Sequence, residues 1–412
     1  MTTTPILWKS LTQVNTTDAG PYNAIQSDGQ IVALKDGGYV VVWTDDSGAY
    51  NTDGAASVIG QRYDSAGHKV DGEVDLTSGL RGDSFSPSVT LLGDGKLAVA
   101  FVNEFKGNDD ICVRIFTPSL TIGRTDFIDT GATKALEPSI TALADGGYAV
   151  SYTVDDAQIA GRVVSISGFP GAQFSASGQT HSALATLSDG NFVMAHQDES
   201  SSTNIPSINL EVFTPDGSKV GFATASLGSA DLYVADVAAL RDGGFVVVWT
   251  DPASDIRASI YGNDQLVIAN QLLVNTTTAG EQNEASVVGL ADGGFLVTWE
   301  YDKQVEDVMY GTKSDLVLAQ RFDAVGNKIG DEFTVKNGTS VDSPDVGLLS
   351  DGRIAFVVGD VSTGDPDVMT SIWDPRDIYI QNPDVLGLFD GTSLINGSAV
   401  GGNPGADWHL IA

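Results

Sequence analysis

Three nearly identical decapeptides constrain this chain more than any other feature: LKDGGYVVVW from Leu34, LRDGGFVVVW from Leu240 and LADGGFLVTW from Leu290. A chain that writes one local structure repeatedly must stack its copies or close them into a ring, because a single copy cannot bury its own apolar faces. Weaker copies extend the set. An Asp-Gly turn preceded two residues earlier by Leu occurs at Asp36, Asp94, Asp145, Asp189, Asp242, Asp292 and Asp351, after Leu34, Leu92, Leu143, Leu187, Leu240, Leu290 and Leu349. The spacings are 58, 51, 44, 53, 50 and 59 residues, close to the length of a propeller blade.

The turn has a direct physical reading. Asp-Gly between two apolar runs supplies the positive-φ residue that a tight hairpin requires. Three residues past each Asp stand Tyr39, Leu97, Tyr148, Phe192, Phe245, Phe295 and Ile354. Seven residues past stand Trp43, Phe101, Tyr152, His196, Trp249, Trp299 and Val358, with small or apolar residues between. A strand of this pattern is covered on both faces, as an inner strand between neighbouring sheets would be.

Each repeat reads as four strands: A before the turn, B after it, C as in VIGQRYD and D as in DEFTV. The expected fold is therefore all-β, a seven-bladed β-propeller of four-stranded antiparallel blades, since closure leaves only short protected edges. The opening segment LTQVNTTDAG matches LLVNTTTAG at Leu272, which follows a repeat as a D strand and its linker. Ile6 to Val14 is thus expected to pair with Val368 to Trp373 and fasten the ring, with Asp377 to Gln381 as the rival for that place. The propeller is assigned to residues 1–373, and 374–412 read as an appendage or the start of a truncated module.

Charge narrows the partners. The 21 Lys and Arg against 54 Asp and Glu give a net charge of −33, which repels nucleic acid and anionic lipid and favours cations or basic partners. Cys112 is the only cysteine, so no intrachain disulfide can form. The opening MTTTPILWKS lacks a basic segment followed by an apolar one, and no run is long enough for a membrane span. Export without an N-terminal signal peptide, no membrane insertion and a monomeric state are the expectations.

The DGG(F/Y)VVVW blades, the second half QRFDAVGNKIGDEFTV from Gln320 to Val335 and the VNTTTAG linker resemble repeats of large bacterial secreted proteins that carry calcium-binding nonapeptides and leave by type I secretion. The resemblance spans about residues 6 to 373. The tail NPDVLGLFDGTSLINGSAVGGNPGADWHLI is similar to part of an FG-GAP or VCBS-like repeat. The resemblance implies an extracellular or cell-surface location and calcium as a cofactor. Neither the GGxGxDxUx nonapeptide nor the DxDxDG loop occurs here, and the family implies no single reaction.

Candidate site residues follow from loop variation on a regular scaffold. The B–C loops are variable and acidic, and they share a face with the D–A connections. The expected ligand-binding face comprises Asp45, Asp46, Glu104, Asp155, Asp198, Glu199, Asp251, Asp302 and Asp360. Hard oxygen donors of this kind suit calcium, with Asp45, Asp53, Asp109, Asp110, Asp360, Asp365 and Asp367 as the candidate ligands. Asp also ends strands and starts turns, so the same pattern can be structural.

Nucleophile, zinc and phosphate motifs are absent from the sequence. Of His68, His181, His196 and His409, His196 occupies the aromatic position of strand B and is expected in the core, as are Trp43, Trp249 and Trp299. Three functions remain open at this point. One is a non-enzymatic binding or adhesion module whose acidic face takes a glycan or protein partner. The others are a hydrolase or lyase acting on an extracellular polysaccharide through carboxylates at the channel mouth, and a structural spacer.

Overall fold

In the computed structural model the strands assemble into seven antiparallel sheets of four strands each, a seven-bladed β-propeller. The structure describes residues 5–16, 25–51, 54–129, 134–156, 158–176, 181–198, 206–227, 233–303, 314–338, 343–360 and 366–376. No helix long and apolar enough to cross a membrane occurs among them. Arg376 marks the end of one compact unit: of the expected appendage 374–412, Asp374 ends a strand of the seventh sheet, and residues 377–412, with the rival strand Asp377 to Gln381, lie outside the described residues.

Strand A of the successive blades runs Gln26–Ala33, Asp83–Leu91, Ala135–Ala142, Ser182–Thr186, Tyr233–Ala239, Glu281–Gly289 and Asp345–Leu348. Each packs against strand A of the next blade, and the last returns to the first, so these strands surround the axis. Strand B begins in every blade at the residue expected: Tyr39, Leu97, Tyr148, Phe192, Phe245, Phe295 and Ile354.

The repeated turn explains why the motif is written as it is. In the first copy Leu34 donates its N–H to Gly38 and accepts one from Gly37, and the Asp36 carboxylate accepts from the Gly38 N–H at 3.0 Å. The same three bonds recur at every copy through to Leu349, Asp351 and Arg353. Gly37 sits at φ +90°, the left-handed position of a three-residue hairpin loop. The second glycine answers to sterics: a Cβ on Gly244 would stand 2.2 Å from the Tyr261 carbonyl oxygen of strand C.

Behind the turn, cross-strand rings lock B to C. Tyr39 stacks on Tyr63 at 4.6 Å, Phe245 on Tyr261 at 4.9 Å and Phe295 on Phe322 at 4.8 Å, each pair directly opposite in register. Further along, Trp43, Trp249 and Trp299 are fully buried between blades, as their period demands.

Closure follows the expected route. Ile6–Gln13 pairs antiparallel with Asp367–Asp374 and completes the seventh sheet as its outer strand. Beyond it the Val14 N–H donates to Val368, the Asn15 side chain accepts from the Val368 N–H at 2.9 Å, and its amide donates to Asp367 at 2.9 Å. Asn275, from the matching VNTTT segment, repeats this pattern with the Ile256 N–H at 2.8 Å and Asp255 at 2.7 Å. The likeness of the two segments therefore reflects one structural role, the exit of strand D fixing the start of strand C.

His196 is buried in the fourth blade where five of the other blades carry Trp, Tyr or Phe and the seventh carries Val358. Its Nε2 stands 3.7 Å from Glu211, which also accepts from Lys219 Nζ at 2.7 Å. Burial pushes the Glu211 carboxyl up, but the contacts with His196 and Lys219 outweigh it and hold the group below the usual carboxylate range.

Two substitutions test the packing. Trp249→Ala should lower unfolding free energy by about 3–5 kcal/mol, as a large cavity in a packed interior does. Gly244→Ala should lose about 1–3 kcal/mol against the Tyr261 carbonyl, whereas Asn191→Ala, at the equivalent place in the fourth turn, should stay near wild type. Denaturant unfolding of each variant reads the difference.

Candidate functional site

The described acids expected to form a binding rim lie at the exit of strand B or in the following connection, and four of them, Asp45, Asp46, Asp155 and Asp251, hold the backbone there. Asp45 is buried and accepts from the Ser47 N–H at 3.0 Å and from Gln26 at 3.3 Å, and burial pushes its carboxyl up. Asp46 accepts from the Ile25 N–H, and Asp155 from the Lys134 N–H at 3.1 Å. Asp251 pairs with Arg257 at 2.7 Å and Asp360 with Lys336 at 2.6 Å. Asp198 and Asp302 are buried, and Glu104 stands opposite Asp109 across strands B and C. Glu199 lies outside the described residues.

The candidate calcium ligands are similarly dispersed. Asp110 accepts from Asn108 at 2.7 Å, while Asp367 accepts from Gln13 at 2.7 Å and from Asn15. Asp53 and Asp365 lie outside the described residues. A calcium ion takes about six to eight oxygen ligands. Among the described residues no three Asp, Glu, His or Cys side chains converge as metal ligands would.

What the structure does bring together lies on the axis. A cavity of about 710 Å³ is lined by strand A, or the residues just ahead of it, in all seven blades. Eight residues before each turn Asp, six blades carry a non-glycine residue at left-handed φ: Asp28 at +55°, Ser86 at +51°, Glu137 at +55°, His181 at +54°, Glu284 at +50° and Ser343 at +45°. Most of these sit at the β-bulge that interrupts A–B pairing, as between Ser27 and Gln30 or Phe85 and Ser88. The bulge turns their side chains to the cavity.

Two layers of side chains tie neighbouring blades together here. In the outer layer Glu137 accepts from the His181 N–H at 3.2 Å and from Thr153 at 3.1 Å, and its carboxylate meets His181 Nε2 at 3.1 Å. Glu284 accepts from the Ser343 N–H at 2.7 Å. Asp28 acts through Thr44, whose hydroxyl donates to it at 3.1 Å and accepts from the Ser86 N–H.

Two residues deeper, the next layer takes the N–H of the following blade: Ser88 from Ile140 at 3.3 Å, Ser139 from Leu184 at 3.0 Å, Asp236 from Val287 at 3.0 Å and Asp345 from Ile31 at 2.8 Å. The cavity wall thus holds Asp28, Glu137, Asp236, Glu284, Asp345 and His181, and among the described residues no Lys or Arg lines it. Its potential is negative, and enclosure strengthens the field. Sequence reasoning concentrated on the B–C loops and missed this ring. Its signal is the run SPS at Ser86, EPS at Glu137, EAS at Glu284 and SPD at Ser343, always at one offset from the turn.

Comparison with solved structures identifies the architecture. A protein of unknown function from Dyadobacter fermentans superposes with TM-score 0.53 at 12% identity, covering 89% of this chain and 100% of that one. A PL25 ulvan lyase, a polysaccharide lyase, gives 0.53 at 8% identity, covering 90% and 96%. The Dos1 propeller gives 0.50 at 11% identity, covering 89% and 81%. The shared feature is the fold. At such identities the likeness carries no activity across. No family model matches the chain, and no curated protein does either.

The Ser139 contact is testable. Ser139→Ala leaves the buried Leu184 N–H without its acceptor and should cost about 1–3 kcal/mol in denaturant unfolding, while Ser139→Thr, which keeps the hydroxyl, should recover most of it.

Proposed function

We propose that the chain is a non-enzymatic binding module whose site is the axial cavity, and that its partner is a protein presenting a Lys- or Arg-bearing segment. The observation that carries this reading is the cavity wall itself, where five carboxyl groups and one imidazole face about 710 Å³ with no Lys or Arg among the described lining residues. An ammonium or guanidinium group entering there meets acceptors already fixed by the scaffold, so little ordering cost remains. A uronate or other anionic glycan would meet repulsion instead. Glu137 and Glu284 are each bound to the backbone of the following blade, which suits fixed acceptors better than groups exchanging protons with a scissile bond. The placement of this module outside the cell is part of the same proposal, and it rests on the DGG(F/Y)VVVW repeats.

Oligoarginine should bind the full chain in isothermal titration, with affinity falling as salt rises. Because the whole surface is acidic, the informative comparison is between two double variants. Glu137→Gln with Glu284→Gln should weaken binding about tenfold or more, equivalent to about 1.4 kcal/mol. Asp71→Asn with Asp331→Asn, on exposed outer strands, should leave it within about twofold. Equal weakening in both, or release of sugar from a polysaccharide by the unmodified chain, would overturn the reading.

A further inference from the structure

Asp236, Ser286 and Asp345 belong to strands A of the fifth, sixth and seventh blades and meet in the cavity wall. Ser286 Oγ lies 3.1 Å from Asp236 Oδ2 and 2.9 Å from Asp345 Oδ1. A hydroxyl has one proton and can donate to one carboxylate only. The second contact is a hydrogen bond only if the other carboxyl is protonated and donates to Oγ. We infer that this trio is a proton-sharing latch between three blades, closed while one of the two acids keeps its proton and weakened when both ionise.

The surroundings fix the acids in place and deny them a counter-charge. Asp236 also accepts from the N–H groups of Val237 at 2.7 Å and Val287 at 3.0 Å. Asp345 accepts from Val346 at 2.8 Å and, across the next seam, from Ile31 of the first blade at 2.8 Å. Among the described residues, the charged groups facing them around the cavity are Asp28, Glu137 and Glu284, with His181 as the one titratable base there. Asp198, His196, Arg257, Glu300, Asp302 and Asp360 lie on strands packed against the trio but do not line the cavity. Removal from solvent, chiefly, and the neighbouring Asp345 charge push the Asp236 carboxyl up to about 7, and burial raises Asp345 as well.

The direction of the pH effect follows. A group whose folded pKa lies above its ordinary 3.8 holds a proton in the native state that the unfolded chain has already released. Stability then falls as pH rises between about 4 and 7 and levels off above that window. Ionisation of both acids loosens the contacts at Ser286, where the fifth, sixth and seventh blades meet, while the Ile31 N–H of the first blade keeps its acceptor in Asp345.

Thermal unfolding of the full chain at pH 5 and pH 8 tests this. Wild type should melt several degrees lower at pH 8 than at pH 5. Asp236→Asn, which cannot ionise, should reduce that difference, although its overall melting temperature falls because its amide nitrogen leaves the Val237 or the Val287 N–H without an acceptor. Ser286→Ala removes the relay, so it should lower the melting temperature at pH 5 and narrow the gap between the two pH values. An Asp236→Asn chain with the wild-type pH difference, or a Ser286→Ala chain unchanged at pH 5, overturns the latch. If Asp236→Asn fails to fold, the Ser286→Ala result decides alone.

Discussion

Antiparallel pairing of the chain's first strand with its last described one is the constraint on which everything else depends. Seven sheets that pack face to face on their neighbours leave two exposed faces unless the last meets the first. Ile6–Gln13 solves this by completing the sheet whose other three strands lie some 340 residues away in sequence, so the ring is held by backbone hydrogen bonds and not by side-chain contact alone. Trp8 adds to the seam by lying under the Arg353 guanidinium at 4.6 Å from the ring centroid. Once the ring is closed, strand A of every blade must face the axis, and the chemistry of the cavity is set by whatever those strands carry.

The heavy negative charge then has two separable physical roles. Asp at the turns and strand exits caps backbone N–H groups and pairs with Arg or Lys, as Asp36, Asp251 and Asp292 do. These carboxylates support the fold and are interchangeable in kind from blade to blade. The axial acids differ because their hydrogen bonds cross between blades and because, among the described residues, no Lys or Arg lines the space they enclose. Carboxyl groups placed this way add hydrogen bonds between blades while still presenting negative potential to an incoming cation.

The architecture was legible because each local signal had one physical solution. Leu-x-Asp-Gly fixed the A–B hairpin, Tyr39 and its equivalents marked where strand B starts, and the VNTT copies around Asn15 and Asn275 exposed the strand that closes the ring. The site was less legible, since acidity in the B–C loops marked turn chemistry more often than a surface meeting a partner. Asp45 illustrates the difficulty: by sequence it is a rim acid, and in the structure it is buried and bonded to Ser47 and Gln26. Asp28, Glu137 and Glu284 were overlooked because left-handed backbone at a non-glycine residue, set by a bulge in strand A, has no single-residue signature.

Where a repeated scaffold departs from its own pattern, the departure locates what is particular to the molecule. Eight residues before the turn, the backbone is held in nearly one conformation while the side chain changes from Asp28 to Ser86, Glu137, His181, Glu284 and Ser343. Packing cannot account for the variety, since these side chains line an open cavity, and backbone strain would favour Gly or Asn at every one of them. The scaffold instead keeps the geometry constant and varies the chemical group delivered to the axis. Two carboxylates there, Glu137 and Glu284, are also bonded to the backbone of the following blade, so removing their charge while keeping their shape separates recognition from stability. A glutamine at either place retains an oxygen to accept the His181 or Ser343 N–H and gives up the negative charge, and at Glu137 also the carboxylate contact with His181 Nε2.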